Sequence, residues 1–358
     1  MRKWNFCAGP AVISEEVLKE VQSEILEFNE SGMSVMEMSH RSDIYSKVAF
    51  DAKKDLINLL RVPNEYDVLF LQGGATHQFS MIPMNYKHKS DTADYVTTGS
   101  WSAKAFNEAS KIFNPNEIFR SDKNVCTKAP NIEELELSKN ATYLHYCPNE
   151  TIQGVAIHEI PKIDIPLIAD MSSIILSQPL DVSKFSIIYA GAQKNIGPAG
   201  LTIVIINKEF MRMGNENLPN ILKYSEHSKS NSMLNTPPTF SWYLAGKVFK
   251  WMIKLGGLDY FEEQNKLKAS LLYDFIDNSD FYTNPIHTSC RSIMNVPFVL
   301  ENSMLEEKFI SEASDNGFLN LKGHRLVGGM RASIYNAMPL EGVKELIKFM
   351  DYFKSENG

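Results

Sequence analysis

The sequence predicts an α/β protein in which a mostly parallel central sheet is covered by helices, followed by a smaller α+β domain. Three observations carry that prediction. Short β-branched runs alternate with segments of helical period, glycine-punctuated polar turns follow several of those runs, and the texture changes after about residue 256. The expected organisation is an N-terminal segment at 1–15, a large domain at 16–256 and a small C-terminal domain at 257–358.

Ser14, with Glu15 and Glu16 behind it, is a helix start, and Leu18, Val21, Ile25 and Phe28 continue it at helical spacing. Val48, Ala52, Leu56 and Leu60 form a second helical stripe, and the polar MSHRS at 38–42 lies between the two. DVLFLQGG at 67–74 reads as a buried strand ending in glycines, with THQFSMIPMN opening a helix behind it. That order presents free backbone N–H groups and a favourable dipole to an anion, although an ordinary strand-to-helix turn also calls for glycine. ATYLHYC at 141–147 and IPLIADMSS at 165–173 are further strands, and KFSIIYA and LTIVIIN flank a loop. Beyond a Gly-Gly break, LGGLDYFEEQNKLKASLLYDFID is helical, SIMNVPFVL is a strand and GVKELIKFMDYF is a terminal helix. Parallel sheets collect ligands at the carboxyl ends of their strands. The polar residues there are Gly73 to Thr76, Asn149 to Thr151, Asp170, and Gln193 with Lys194.

Composition narrows the partner. A chain of 358 residues that is 44% hydrophobic and 22% charged can bury a large core, and it contains no repeat or low-complexity run. Its net charge of −7 argues against binding driven by nucleic-acid phosphates or anionic lipid, so a small molecule is expected. No apolar run reaches membrane-spanning length, and MRKWNFCAGPAVIS is broken by Gly9 and Pro10 before it could form a signal core. Cys7, Cys126, Cys147 and Cys290 are scattered without CxxC pairing, which fits a reducing compartment, the cytoplasm, and no structural zinc or other metal site.

The loop in IIYAGAQKNIGPAG holds Lys194 among apolar residues. Desolvation there lowers the lysine pKa and makes the neutral amine accessible, whereas most lysines are merely solvated. Asp170 ends an earlier apolar run. Together the two offer what pyridoxal phosphate chemistry requires, an amine for a Schiff base and a carboxylate to keep the pyridine nitrogen protonated. The GGAT turn is the candidate phosphate cradle, and Trp101 in TTGSWS is either an aromatic platform for the ring or simple core packing.

FCAGPAVI, MSHRS, LFLQGGATHQF, TTGSWS, CPNETIQG, ADMSS, YAGAQKNIGPAG, NTPPTF and GHRLVGGMRASIYNAMP occur in the order and spacing of the phosphoserine aminotransferases. The chain resembles that family, pyridoxal 5'-phosphate enzymes of fold type I, along essentially its whole length. The resemblance implies that Lys194 carries the cofactor, Asp170 pairs with its pyridinium nitrogen, Trp101 stacks on the ring and Thr151 holds the phenolic oxygen. Ala75 and Thr76, with Gln193 beside them, would bind the phosphate, joined by Asn235 and Thr236 from the other subunit of a homodimer. It also implies transfer of the amino group of L-glutamate to 3-phosphohydroxypyruvate, with a side activity on 3-hydroxy-2-oxo-4-phosphooxybutanoate. His40 and Arg41 from the partner subunit, with His324 and Arg325, would receive the distal anion, and Arg331 the carboxylate by the reacting carbon; an arginine fork suits both anions. Without the family, HRSD reads as a solvated helix entry and GHRLVGGMR as a basic loop.

One position departs from part of the family. Thr76 stands where certain members have arginine, which removes a fixed cation, and His77 or another basic group is the candidate to compensate. Three rival readings are weaker. Desulfurases and decarboxylases of this fold commonly place histidine before the lysine, where this chain has Gln193, and nothing around Cys290 supports a mobile nucleophile. QKNIGPAG lacks the GxxxxGK[ST] pattern of a nucleotide-binding loop. A non-catalytic regulator would not need Lys194 and Asp170 together.

Overall fold

The β-branched runs at 187–191 and 202–207 form strands that face apolar neighbours on both sides. The computed structural model describes residues 2–87, 92–121 and 127–358; Cys126 lies outside them. The chain begins with β1 (Trp4–Asn5), α1 (Glu15–Glu24), α2 (Asp43–Leu60), β2 (Tyr66–Leu71), α3 (Gly74–Tyr86), β3 (Asp94–Thr97), α4 (Ser100–Ala109) and β4 (Asn116–Arg120). It continues through β5 (Leu144–Tyr146), β6 (Asn149–Glu150), β7 (Val155–Ala156), β8 (Leu167–Asp170), β9 (Ile187–Gly191) and β10 (Thr202–Asn207). Four helices follow, α5 (Lys208–Arg212), α6 (Tyr224–Lys229), α7 (Thr239–Lys254) and α8 (Gly257–Asp277). The last part holds β11 (Tyr282–Thr283), β12 (Asn295–Leu300), α9 (Glu306–Asp315), β13 (Phe318–Leu319), β14 (Met330–Ser333) and α10 (Leu340–Asn357).

Seven strands make the central sheet in the order β2-β10-β9-β8-β5-β3-β4. From β9 to β4 every neighbour pairs in parallel, and β10 alone runs against both of its neighbours. Alternation along a strand sends successive side chains to opposite layers. Ile203 and Ile205 of β10 therefore join one core with α2 and α7, where Trp242 stacks on Phe70 at 4.3 Å, while Val204 and Ile206 join the other with α3 and α4. Both faces are thus covered, as the sequence predicts. A separate antiparallel sheet, β11-β12-β14, packs with α8, α9 and α10 around Phe309, Phe349 and Phe353. The N-terminal β1 pairs in parallel with β13, which ties the start of the chain to this last part.

Two expectations need correction. The first helix stops at Glu24 rather than running on through Ile25 and Phe28; Asn29 and Glu30 take positive φ, and Phe28 turns back onto Tyr243 with ring centroids 5.5 Å apart. The strands expected at 141–147 and 165–173 shrink to Leu144–Tyr146 and Leu167–Asp170. The residues that follow them, at 147 and 171–173, turn at the sheet's carboxyl edge, which is where polar side chains collect.

Candidate active site

The carboxyl ends of β9, β8, β5 and β3 lie side by side, so residues far apart in sequence meet there. Asp170 is the last residue of β8 and only 4% exposed. Its carboxylate accepts from the Ser172 amide at 3.0 Å and from Ser172 Oγ at 2.6 Å, and that hydroxyl accepts from the Gly191 amide at 3.0 Å, which ties the ends of β8 and β9 together. Lys194, three residues past β9, is 8% exposed and donates from Nζ to Thr151 Oγ1 at 2.6 Å. Burial lowers the Lys194 pKa to about 8, against the pull of Asp170, Cys147 and Glu150, while Arg331 reinforces the drop. Burial also raises the Asp170 carboxyl, against the Ser172 bonds and Lys194.

These groups line one cavity of about 220 Å³, together with Ala75, Trp101, Gln193, His324 and Arg331. The Trp101 ring centroid lies 5.8 Å from Lys194 Nζ. Arg331, on β14, reaches across from the smaller sheet and donates to the Thr151 carbonyl at 3.2 Å, while its buried Nε has no protein partner. An unpaired guanidinium N–H facing a cavity suits a carboxylate ligand.

Glycine at the entry of α3 is required by the backbone. Gly73 has φ of 90°, and a Cβ there would lie 2.5 Å from that of His77. The turn brings Ala75 to the cavity, but Thr76 beside it is exposed and is not among the lining residues; His77 Nδ1 sits 3.4 Å from the Gln72 carbonyl. Arg325 lines a neighbouring cavity of about 450 Å³ that shares Trp101, Ile152 and His324 with the first. His40 and Arg41 precede α2, and Asn235 and Thr236 precede α7; none of the four lines either cavity. The Thr236 carbonyl instead accepts from Gln72 Nε2 at 3.0 Å. Cys290 is buried away from Lys194, accepting from the Ala129 amide at 3.3 Å.

Several groups gain a role only in three dimensions. Glu150, fully buried, accepts from the amides of Trp101 and Ser102 at 3.0 and 2.8 Å and from Ser102 Oγ at 2.5 Å. A carboxylate is thereby placed at the N-terminus of α4, which anchors Trp101. The contact is so close that a Cβ on Gly99 would fall 2.6 Å from the Glu150 carboxyl carbon. Asn149 donates to Ser173 Oγ and Asn295 Oδ1, at 2.7 and 2.9 Å, and links the cavity wall to β12. The only hint in sequence is that polar residues directly follow an apolar strand.

The model of the class-V aminotransferases matches residues 3–346. A phosphoserine aminotransferase of Acinetobacter baylyi is 53% identical, with all of both chains covered, and one of Hahella chejuensis is 52% identical over 99% of each. Among solved structures, a phosphoserine aminotransferase from Bacillus circulans subsp. alkalophilus superposes with a TM-score of 0.97 at 45% identity, covering 100% of this chain and 99% of that one. A pyridoxal-phosphate-bound phosphoserine aminotransferase from Trichomonas vaginalis gives 0.94 at 39% identity, covering 98% and 100%. A cavity that brings a buried lysine, a carboxylate and an aromatic ring to the rim of a fold-type-I sheet, in a chain this similar from end to end, means that the protein belongs to the phosphoserine aminotransferases of the class-V family.

Proposed function

We propose that the chain transfers the amino group of L-glutamate to 3-phosphohydroxypyruvate, releasing 2-oxoglutarate and O-phospho-L-serine in two successive half-reactions, with pyridoxal 5'-phosphate as its resident cofactor. The observation that carries this is the 2.6 Å bond from Lys194 Nζ to Thr151 Oγ1 in a cavity that Asp170 also lines. The residues fit the cofactor. The cavity has room for a substituted aromatic ring, Trp101 forms a wall, and Asp170 supplies a buried anion fixed by Ser172. Ala75, at the first turn of α3, stands by free amides that suit a phosphate. When bound, the protonated pyridine ring draws electrons from the carbon that bears the exchanging amino group.

The chain's own residues do the rest. The Lys194 amine, with its pKa near 8, is partly neutral at physiological pH and accepts the proton from the substrate α-carbon. Thr151 orients that amine. Asp170 holds a cationic ring nitrogen in place, and Arg331 clamps the carboxylate beside the reacting carbon. His324 and Arg325 offer positive charge to the distal carboxylate or phosphate. His40, Arg41, Asn235 and Thr236 would act in the site of a second copy, which supports a homodimer, and exposed Leu26, Met36 and Phe50 supply apolar surface for such contact. The activity on 3-hydroxy-2-oxo-4-phosphooxybutanoate is proposed on the same grounds, since that substrate also pairs a keto acid with a phosphate. Cys7, Cys147 and Cys290 carry no disulfide, in keeping with a cytoplasmic protein. No described helix is long and apolar enough to cross a membrane.

The test is to purify the protein, record its visible spectrum and add glutamate alone. Loss of the cofactor band with release of one equivalent of 2-oxoglutarate is expected. An unchanged spectrum and no 2-oxoglutarate would overturn the assignment.

A further inference from the structure

The neighbouring cavity is twice as large as the one around Lys194 and differs in its lining. Among the described residues, Lys104, Arg120, His324 and Arg325 line it and no carboxylate does. Arg120 is paired with Glu117 at 2.9 Å, but neither Lys104 nor Arg325 has a carboxylate partner among the described residues. Lys104 stands one helical turn past Trp101 on α4, with Nζ 4.8 Å from the indole centroid. That ring also faces the inner cavity, so Lys104 sits at the threshold between the two. Burial and the charges of Arg331, Arg325 and Lys104 all lower the His324 pKa, which reflects how closely the cations crowd together. Crowded cations such as Lys104, His324 and Arg325, with no carboxylate partner among the described residues, are held at a cost that an arriving dianion removes.

We infer that the outer cavity is an anion-loading subsite in which Lys104 selects for phosphate-bearing substrates and guides them past Trp101 toward Lys194. The inference rests on the amino-transfer reading above and deepens it, because it assigns a specificity role to a residue outside the inner cavity. A phosphorylated keto acid carries nearly two negative charges beyond the single carboxylate charge of its unphosphorylated counterpart, so the field of Lys104 discriminates chiefly through capture rate. Lys104 belongs to substrate entry and not to the chemical step.

The experiment compares Lys104→Gln, Lys104→Glu and Lys104→Arg in the holoenzyme, with 3-phosphohydroxypyruvate and unphosphorylated hydroxypyruvate as acceptors. At low salt, kcat/KM for the phosphorylated acceptor should fall about threefold in the Gln variant and about tenfold in the Glu variant, with kcat little changed. The loss should shrink as salt is raised, Lys104→Arg should restore most of it, and the hydroxypyruvate values should change far less, in keeping with its single charge. A parallel titration with 3-phosphoglycerate, which binds without reacting, should weaken in the same order. Lys348→Gln on α10, which removes the same charge far from the cavity, should do nothing. Equal losses with both acceptors, or an undiminished 3-phosphoglycerate affinity in Lys104→Glu, would overturn the inference. A wild-type protein that transfers no amino group overturns the function proposed above instead, and the 3-phosphoglycerate titration then decides the subsite.

Discussion

The cavity floor and the stretch that leads into and opens α2 contrast sharply. Around Lys194 the chain completes its own environment: Asp170, Glu150, Asn149 and Ser173 are buried and bonded to other parts of the same chain. At 25–50 the same chain leaves Leu26 87%, Met36 53% and Phe50 65% exposed, and the nearby Arg41 stands in solvent. Burial by the chain itself settles the charge state and position of the floor residues. The exposed segment has the composition of a surface that another molecule covers, with an arginine beside apolar side chains. The contrast teaches that the floor residues are fixed within one chain, whereas the anion recognition proposed for Arg41 would require a second.

Lys194→Ala should break the floor most completely. Amino transfer is expected to fall by about a thousandfold or more, because the group that moves the α-proton is gone, and a variant turning over at the normal rate would refute the mechanism. Arg41→Ala tests the other region. Alone it should raise KM for 3-phosphohydroxypyruvate with a smaller change in kcat. Mixed and reassembled with Lys194→Ala subunits, it should recover about a quarter of wild-type activity, since one site in each hybrid dimer draws every residue from an intact copy. No recovery, with hybrids shown to form, would mean that Arg41 serves its own chain.

Smaller effects sharpen the comparison. Glu150→Ala leaves the Trp101 and Ser102 amides unpaired in a buried place and should cost about 2 kcal/mol in urea unfolding; breaking an exposed, solvent-screened pair such as Lys348 with Glu345 should leave the unfolding midpoint nearly unmoved. The last prediction is a pH dependence. Because the Lys194 pKa is depressed to about 8, the fraction of neutral amine rises with pH through that value. Covalent uptake of pyridoxal phosphate by protein stripped of it should therefore speed up toward a plateau above about pH 9, with a midpoint near 8 rather than near the 10.5 of a solvated lysine. Stopped-flow absorbance reads that midpoint directly.

Much of the fold is legible in the letters, since period and burial are local. The β-branched runs at 187–191 and 202–207 face cores on both sides and read as strands, and Asp170 and Lys194 stand out because each polar residue follows such a run. Family resemblance adds Arg331 and gives Thr151 and Trp101 their roles, since no spacing argument links the three to that pair. The end of α1 was not legible: Ile25 and Phe28 keep the helical period, and only the turn onto Tyr243 ends it.

Sequence by itself determined the alternation of strands and helices, the carboxyl-edge position of Asp170 and Lys194, and a net charge of −7 that argues against a nucleic-acid or anionic-lipid partner. Tertiary structure alone decided that Glu150 holds the start of α4, that Thr151 meets Lys194 at 2.6 Å, and that Lys104 faces a cavity lined by no carboxylate among the described residues. The physical reason is range. A side chain's period and its neighbours along the chain express local backbone preference, but desolvation and charge pairing depend on which distant segments close around a group, and that is set only when the sheet order brings their ends together.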